Sequence, residues 1–313
     1  MTMTGSKQAV QDEIRKRMET TTTGWISSAL EMRPQRDSVT VGGSRIAFRV
    51  WGSGQGRGVL LVHGGGAHSG WWDHIAPLLA GGGRVVALDL SGHGDSDHRD
   101  HYDMDQWGAE VLEVRRVAGL DPECTLVGHS LGGLITLYLR EQAGSGVNRA
   151  IVVDSPVGGP DAQELLEAGG FVARHRLYPS EEIAVQRFRP IPAQASVPEV
   201  HDHVARDSVL RAEGGWSWKF DARIFNGTTR MRTTLPTPGG RLAYLRGELG
   251  MVPPSARGLI EAAGGIFLDL PGAGHAPMLD QPAALVAALR AVTAGWDKPS
   301  RGARSPSGTS HLP

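Results

Sequence analysis

The chain has 313 residues, with 32 Lys and Arg against 33 Asp and Glu and a formal net charge of −1, so its charge gives no reason to expect nucleic acid or an anionic membrane as a partner. The single cysteine, Cys124, excludes an intrachain disulfide and a thiolate metal cluster and reads as a small buried filler. No run of about 18 apolar residues is present to span a bilayer, and 43 glycines without a G-X-Y period point to many tight loops.

The first residues, MTMTGSKQAVQDEIRKRMET, are polar and lack the apolar centre of a signal peptide, so the chain is expected to be cytoplasmic. Residues 1–36 read as an N-terminal arm, packed on the body or partly frayed, with a charged helical segment over Gln8–Met18. From Asp37 the pattern alternates around Gly42-Gly43, which predicts an antiparallel hairpin. Two apolar runs, Gly58–His63 and Arg84–Leu90, read as strands buried on both faces, with a helix over Trp71–Ala80 between them. Met104, Trp107, Val111, Val114 and Val117, or Leu112 beside them, have amphipathic helical spacing. A strand at Thr125–Val127, a helix after Ser130, and a strand at Arg149–Asp154 follow.

Strands alternating with helices predict an α/β fold, a mostly parallel doubly wound sheet with right-handed crossovers. The alternation lapses from Ser155 to about Thr237, where prolines and the aromatics Phe171, Tyr178, Phe188, Trp216, Trp218, Phe220 and Phe225 gather. Ala162–Ala168 and Ser180–Phe188 look helical there. This stretch is either a helical excursion with its own small core or a lid whose aromatics line a substrate pocket. The beat returns with Leu242–Leu249, a helix near Ser255–Gly264, a strand at Ile266–Leu270 and a last helix over Gln281–Trp296. The expected organisation is a core of 37–156 and 238–297, a lid insertion of 157–237 and a disordered tail of 298–313.

Within this pattern Thr125–Gly133 reads TLVGHSLGG. Glycines two residues either side of Ser130 let a strand turn sharply into a helix, holding the serine Oγ exposed on a strained backbone over the helix N-terminus. The motif resembles the G-x-S-x-G nucleophile elbow of the α/β-hydrolase superfamily. The segment LPGAGHAPMLDQP around His275 resembles the histidine loop of that superfamily, and DLSGHGDSD is a second recurrent signature. The resemblance covers roughly residues 39–296 apart from the insertion.

The resemblance implies a serine hydrolase of the esterase or lipase kind, with Ser130 as nucleophile and His275 as base. Backbone N–H groups of Leu131 and of the His63-Gly64-Gly65-Gly66 turn form the oxyanion hole, Gly65 being the choice and Gly66 its neighbour. His93 and Asp95 are loop-organising. The acid is the open member: the family usually places it after the penultimate strand, where Gly250 and Met251 stand here. Asp154 ends the strand after the Ser130 helix, where family members such as haloalkane dehalogenases carry theirs; Glu248 is the alternative. Trp71, Trp216 and Trp218 are the pocket candidates, although Trp71 could equally pack beneath the Gly64–Gly66 turn.

The expected reaction is hydrolysis of a carboxylic ester or lactone of a small, mostly apolar molecule through an acyl-enzyme on Ser130, without metal or organic cofactor. The same residues support carbon–carbon cleavage or perhydrolysis, whereas a serine at the elbow argues against dehalogenase and epoxide hydrolase activity. The competing class is a ligand-binding or sensing protein of the same fold with weak turnover, motivated by the missing aspartate near Gly250. Partners are limited to a small-molecule substrate and, for a homodimer, a second copy.

Overall fold

Side chains alternating at a two-residue period send successive strand residues to opposite faces, and that rule divides this core in two. In the computed structural model, which describes residues 24–54, 57–157, 176–225 and 237–297, the chain starts with helix α1 (24–31). A hairpin of β1 (Gln35–Val41) and β2 (Ser44–Trp51) follows, as its Gly-Gly turn predicts. Then come β3 (Val59–Val62), α2 (Ala76–Leu79), β4 (Val85–Leu88), α3 (Met104–Val117), β5 (Thr125–His129), α4 (Leu131–Glu141) and β6 (Arg149–Val153). The insertion contributes α5 (Glu181–Gln186), α6 (Pro198–Asp207), β7 (Val209–Ala212) and β8 (Gly215–Trp218). The chain returns through β9 (Arg241–Gly247), α7 (Ala256–Ala262), β10 (Ile266–Leu270), α8 (Pro277–Asp280) and α9 (Pro282–Asp297).

Eight strands form one sheet in the order β1-β2-β4-β3-β5-β6-β9-β10, antiparallel at β1–β2 and β2–β4 and parallel elsewhere. The α/β fold with a mostly parallel sheet is as expected. Leu60, Val62, Val86, Leu88, Leu126, Val152 and Tyr244 face α3, α4 and α7, while Leu61, Val85, Ala87, Val127, Ile151, Val153 and Leu245 face α1, α2 and α9. Because both faces are covered, the central strands carry no polar face, which explains their unbroken apolar runs.

The registers bring the strand ends to one edge. His129 pairs with Val153, Val153 with Leu245, and Gly247 with Leu270. Residues just past β5, β6, β9 and β10 therefore meet at the carboxyl edge of the sheet, where open α/β sheets build their sites.

Two sequence expectations change. The helix expected over Trp71–Ala80 is instead a 3₁₀ turn, Ser69–Trp72, then the single turn of α2 with Pro77 in its first positions. Pro77 has no N–H to continue a helix from Asp73, and its ring would strike that carbonyl. The insertion is not wholly helical: β7 and β8 pair antiparallel, Val209 opposite Trp218, around Glu213-Gly214. The helices expected over Gln8–Met18 and Ala162–Ala168 and the tail 298–313 lie outside the described residues. Among the described residues, no helix is long and apolar enough to cross a membrane.

Candidate active site

The turn at the end of β5 is set by close backbone approach. A Cβ on Gly128 would lie 2.1 Å from the Gly132 carbonyl oxygen, and one on Gly132 would lie 2.3 Å from that of Val62. Only glycine fits either place. Between them Ser130 adopts φ +50°, ψ −116°, a conformation that is costly for a residue with a Cβ and is held by its surroundings. Its N–H donates to the Val153 carbonyl at 3.0 Å, and its carbonyl accepts from Gly133 N, Leu134 N and Ser155 Oγ. The Ser130 side chain caps no amide of α4, so Oγ is left for other partners.

Its partner is His275, in the loop between β10 and α8. His275 Nε2 lies 3.1 Å from Ser130 Oγ, and Nδ1 lies 2.7 Å from Asp154 Oδ2. Nδ1–H donates to the carboxylate, so Nε2 is the acceptor for the serine proton. Asp154 is buried with φ +42°. Its Oδ1 accepts from Gly247 N at 3.1 Å and its Oδ2 also accepts from Met251 N at 3.0 Å. Two backbone amides and the imidazole thus fix the position of the carboxylate. Serine, imidazole and carboxylate in this series can carry nucleophilic attack with proton transfer to a fixed base.

The His63–Gly66 turn flanks the serine. His63 Nδ1 donates to the Gly64 carbonyl at 2.7 Å, Ala67 N donates to the same oxygen at 3.2 Å, and His63 Nε2 accepts from Leu90 N at 3.0 Å. This pattern requires neutral His63, and burial lowers its pKa to about 4. The Gly64 carbonyl is thereby engaged on both sides, and Gly65 and Gly66 occupy the centre of the turn. The ring of Phe225 lies over them, its Cε1 3.1 Å from where a Gly65 Cβ would stand.

Three side chains hold the backbone around His275. His129 Nε2 donates to the His275 carbonyl at 2.8 Å, and burial together with the nearby His275 ring keeps His129 neutral, its pKa well below the ordinary range. Gly274 N donates to Asp280 Oδ2 at 2.6 Å. Gln194, from the insertion, binds both peptide groups of Ala276.

The comparisons with known proteins bear on the fold that carries this site. Residues 59–289 match the family model described as "Alpha/beta hydrolase family". The chain belongs to the alpha/beta hydrolase family.

Among relatives of this alpha/beta hydrolase, an uncharacterized protein of Mycobacterium tuberculosis is 36% identical over 132 residues, 40% of this chain and 38% of that protein. The match thus spans well under half of that relative's length. An esterase of the same organism is 28% identical over 271 residues, 83% of this chain and 89% of its own. The crystal structure of an alpha/beta hydrolase from Novosphingobium aromaticivorans superposes with a TM-score of 0.66 at 22% identity, covering 83% of this chain and 98% of the other; at that identity it speaks for the fold alone.

The acid position departs from the usual family pattern in a way the structure accounts for. A Cβ on Gly250 would fall 2.4 Å from Asp154 Oδ2 and 2.6 Å from Asp154 Cγ. The Asp154 carboxylate stands in the space that a side chain at 250 would enter. Glu248, the alternative acid, is exposed and accepts from Gly272 N at 2.8 Å; the structure does not bring it to His275.

The tryptophans sit differently from Phe225. Trp71 is buried in the core on the α9 side, its ring edge-on to Phe188 at 6.0 Å, and Trp218 reaches the same ring at 6.1 Å. Trp216 exchanges both main-chain hydrogen bonds with Tyr178. Among the described residues, the aromatic that lies on the Gly65–Gly66 turn is Phe225, which the sequence places only among the aromatics of the insertion. His93 and Asp95 organise their loop: His93 Nδ1 donates to the Ser91 carbonyl, and Asp95 pairs with Lys219 at 2.9 Å and Arg36 at 3.2 Å.

Proposed function

We propose that the chain is a serine hydrolase that cleaves a carboxylic ester or lactone of a small, mostly apolar molecule. The observation that carries the reading is the series Ser130 Oγ to His275 Nε2 at 3.1 Å and His275 Nδ1 to Asp154 Oδ2 at 2.7 Å. Ser130 attacks the carbonyl carbon as His275 takes its proton. Asp154 holds the imidazole in the required tautomer and stabilises the imidazolium that forms. The N–H groups of Leu131, at the start of α4, and of Gly65 receive the oxyanion; Leu131 N belongs to the first turn of the helix, whose donors have no intrahelical acceptor. His275 then protonates the leaving alcohol, and water, activated by the same base, releases the acid.

The preference for an apolar substrate rests on Phe225, with Leu131, against the Gly65–Gly66 turn. The described part of the insertion acts as a lid fastened to the core. Arg49 on β2 pairs with Asp207 and Asp73 at 2.6 Å each, His68 Nε2 and Ser208 Oγ lie 2.9 Å apart, and Asp221 accepts from Tyr102 at 2.8 Å. The sensing alternative drew on the vacant acid position at Gly250; with Asp154 in that space, no observation favours it.

The test is the initial rate on short- and medium-chain aryl esters for wild type and Ser130→Ala. Wild-type turnover with a silent alanine variant is expected; equal rates in both proteins would refute the reading. Phe225→Ala is expected to raise kcat/KM for branched or aromatic acyl esters relative to acetate by about tenfold or more, since removing a wall changes discrimination on that scale. An unchanged ratio across an acyl series would move the pocket away from Phe225.

A further inference from the structure

The main-chain polar groups around His275 are engaged by side chains from three separate elements. His129 comes from the end of β5 and Asp280 from α8, both within the hydrolase core. Gln194 alone comes from the insertion. Its Oε1 accepts from Ala276 N at 2.8 Å, and its Nε2 donates to the Ala276 carbonyl at 3.1 Å and to Asp280 Oδ2 at 3.0 Å. The carboxamide thereby completes the hydrogen bonding of the residue that follows His275, and it also bonds the carboxylate that holds Gly274 N. Three residues on, Val197 N donates to the Leu279 carbonyl at 2.7 Å, so the insertion runs alongside the histidine loop rather than touching it at one point. Leu279 N of α8 also donates to the Ala276 carbonyl, at 2.9 Å, but the acceptor for Ala276 N is Gln194; without it the N–H of buried Ala276 loses that partner, which loosens the loop.

We propose that Gln194 is a positioning residue through which the insertion sets the orientation of His275 toward Ser130. The inference rests on the serine hydrolase reading for its kinetic consequences, though not for its structural one. A base must stand within hydrogen-bond reach of the proton it removes, and a misplacement near 1 Å costs about a hundredfold in rate. The insertion therefore does more than enclose substrate: it fixes the base, so changes in its seating alter kcat.

Two variants test this. Gln194→Met keeps the length of the side chain and removes all three hydrogen bonds. Gln194→Glu keeps the acceptor for Ala276 N but sets an oxygen, where Nε2 donates, against the Ala276 carbonyl and Asp280 Oδ2. In Gln194→Met, kcat and the rate constant for labelling by a fluorophosphonate should fall together by roughly ten- to a hundredfold, with KM within about twofold. Gln194→Glu should lose at least as much as Gln194→Met, because acceptors then face acceptors. The downfield proton resonance of His275 Nδ1–H, which needs no turnover, should broaden in both variants. A silent wild type with these resonance changes would overturn the hydrolase reading and leave the coupling standing. Wild-type resonance, labelling and kcat in Gln194→Met or in Gln194→Glu overturns the coupling itself.

Discussion

Asp154→Asn is expected to lower kcat by about 10⁴-fold while leaving the fold intact, the loss observed when the acid of a serine–histidine–acid triad becomes an amide. The carboxylate has one oxygen on Gly247 N and the other on Met251 N and His275 Nδ1. An asparagine offers one acceptor oxygen and an NH₂ group in place of the other. Whichever way it turns, a donor faces a donor: with the NH₂ on the Gly247 side it meets Gly247 N, and with the NH₂ on the other side it meets Met251 N and pushes the imidazole toward the tautomer that cannot accept the Ser130 proton. The backbone at φ +42° suits asparagine, which tolerates the left-handed region, so circular dichroism should not change. The close approach at Gly250 supplies a sharper version. A Cβ there would lie 2.4 Å from the place of Asp154 Oδ2, a distance spanned by one C–C and one C–O bond. Gly250→Asp alone should therefore clash with Asp154 and inactivate. Asp154→Gly/Gly250→Asp should return activity well above that of Asp154→Gly, because the carboxylate is rebuilt from the neighbouring strand end. Near-normal turnover in Asp154→Asn, with loss in Glu248→Gln, would reverse the assignment.

The second large effect is acid lability. Burial lowers His63 and His74 to about 4 and also lowers His68, His93 and His129. An unfolded histidine titrates near 6.5, so between roughly pH 6.5 and 4 the unfolded chain binds more protons than the folded one. Their contribution is complete above about pH 6.5 and is lost as pH falls toward the folded pKa values. His63 and His74 alone give a slope of roughly 2–3 kcal/mol per pH unit, against a total stability of about 5–15 kcal/mol. The hydrogen bonds show why protonation is opposed at His63: its Nε2 accepts from Leu90 N and would acquire a proton facing that donor. Asp207 adds a loss at lower pH. Burial alone would raise its pKa, but His68, Arg49 and Lys219 hold it below the ordinary carboxylate value, so its share is present above about pH 3.9 and disappears below. Urea unfolding at a series of pH values from 7 to 4.5 should show this fall. His74→Gln, which keeps a donor for the Met278 carbonyl now bonded by His74 Nε2, should flatten the slope by about 1.4 kcal/mol per pH unit. Stability unchanged from pH 7 to 5 would contradict the account.

Where function depends on local backbone geometry, the sequence was readable. Gly128 and Gly132 flank Ser130 because of contacts within one turn, and the parallel strands announce themselves as apolar runs because both faces are covered. Where it depends on how distant strand ends meet, the sequence left choices. Asp154 and Glu248 both follow strands at one edge, and what separates them is tertiary: Asp154 reaches His275 Nδ1, while Glu248 accepts from Gly272 N. Pro77 was visible, yet the apolar spacing around it suggested one helix where the chain makes short turns. The β7–β8 hairpin did have a signal, Glu213-Gly214 between two short alternating runs, masked by the prolines around it. Gln194 and Phe225 carried none: each acts through a tertiary contact of the insertion that follows neither helical nor strand period.

The most direct test of the central claim is to mix wild-type protein with an aryl ester, quench with acid in the first turnover and weigh the protein and its peptides. The result expected is a mass increase of one acyl group on the peptide containing Ser130, absent from Ser130→Ala and accumulating when deacylation is slowed. Ester turnover with no acyl group on Ser130, or the same acylation in Ser130→Ala, would contradict it.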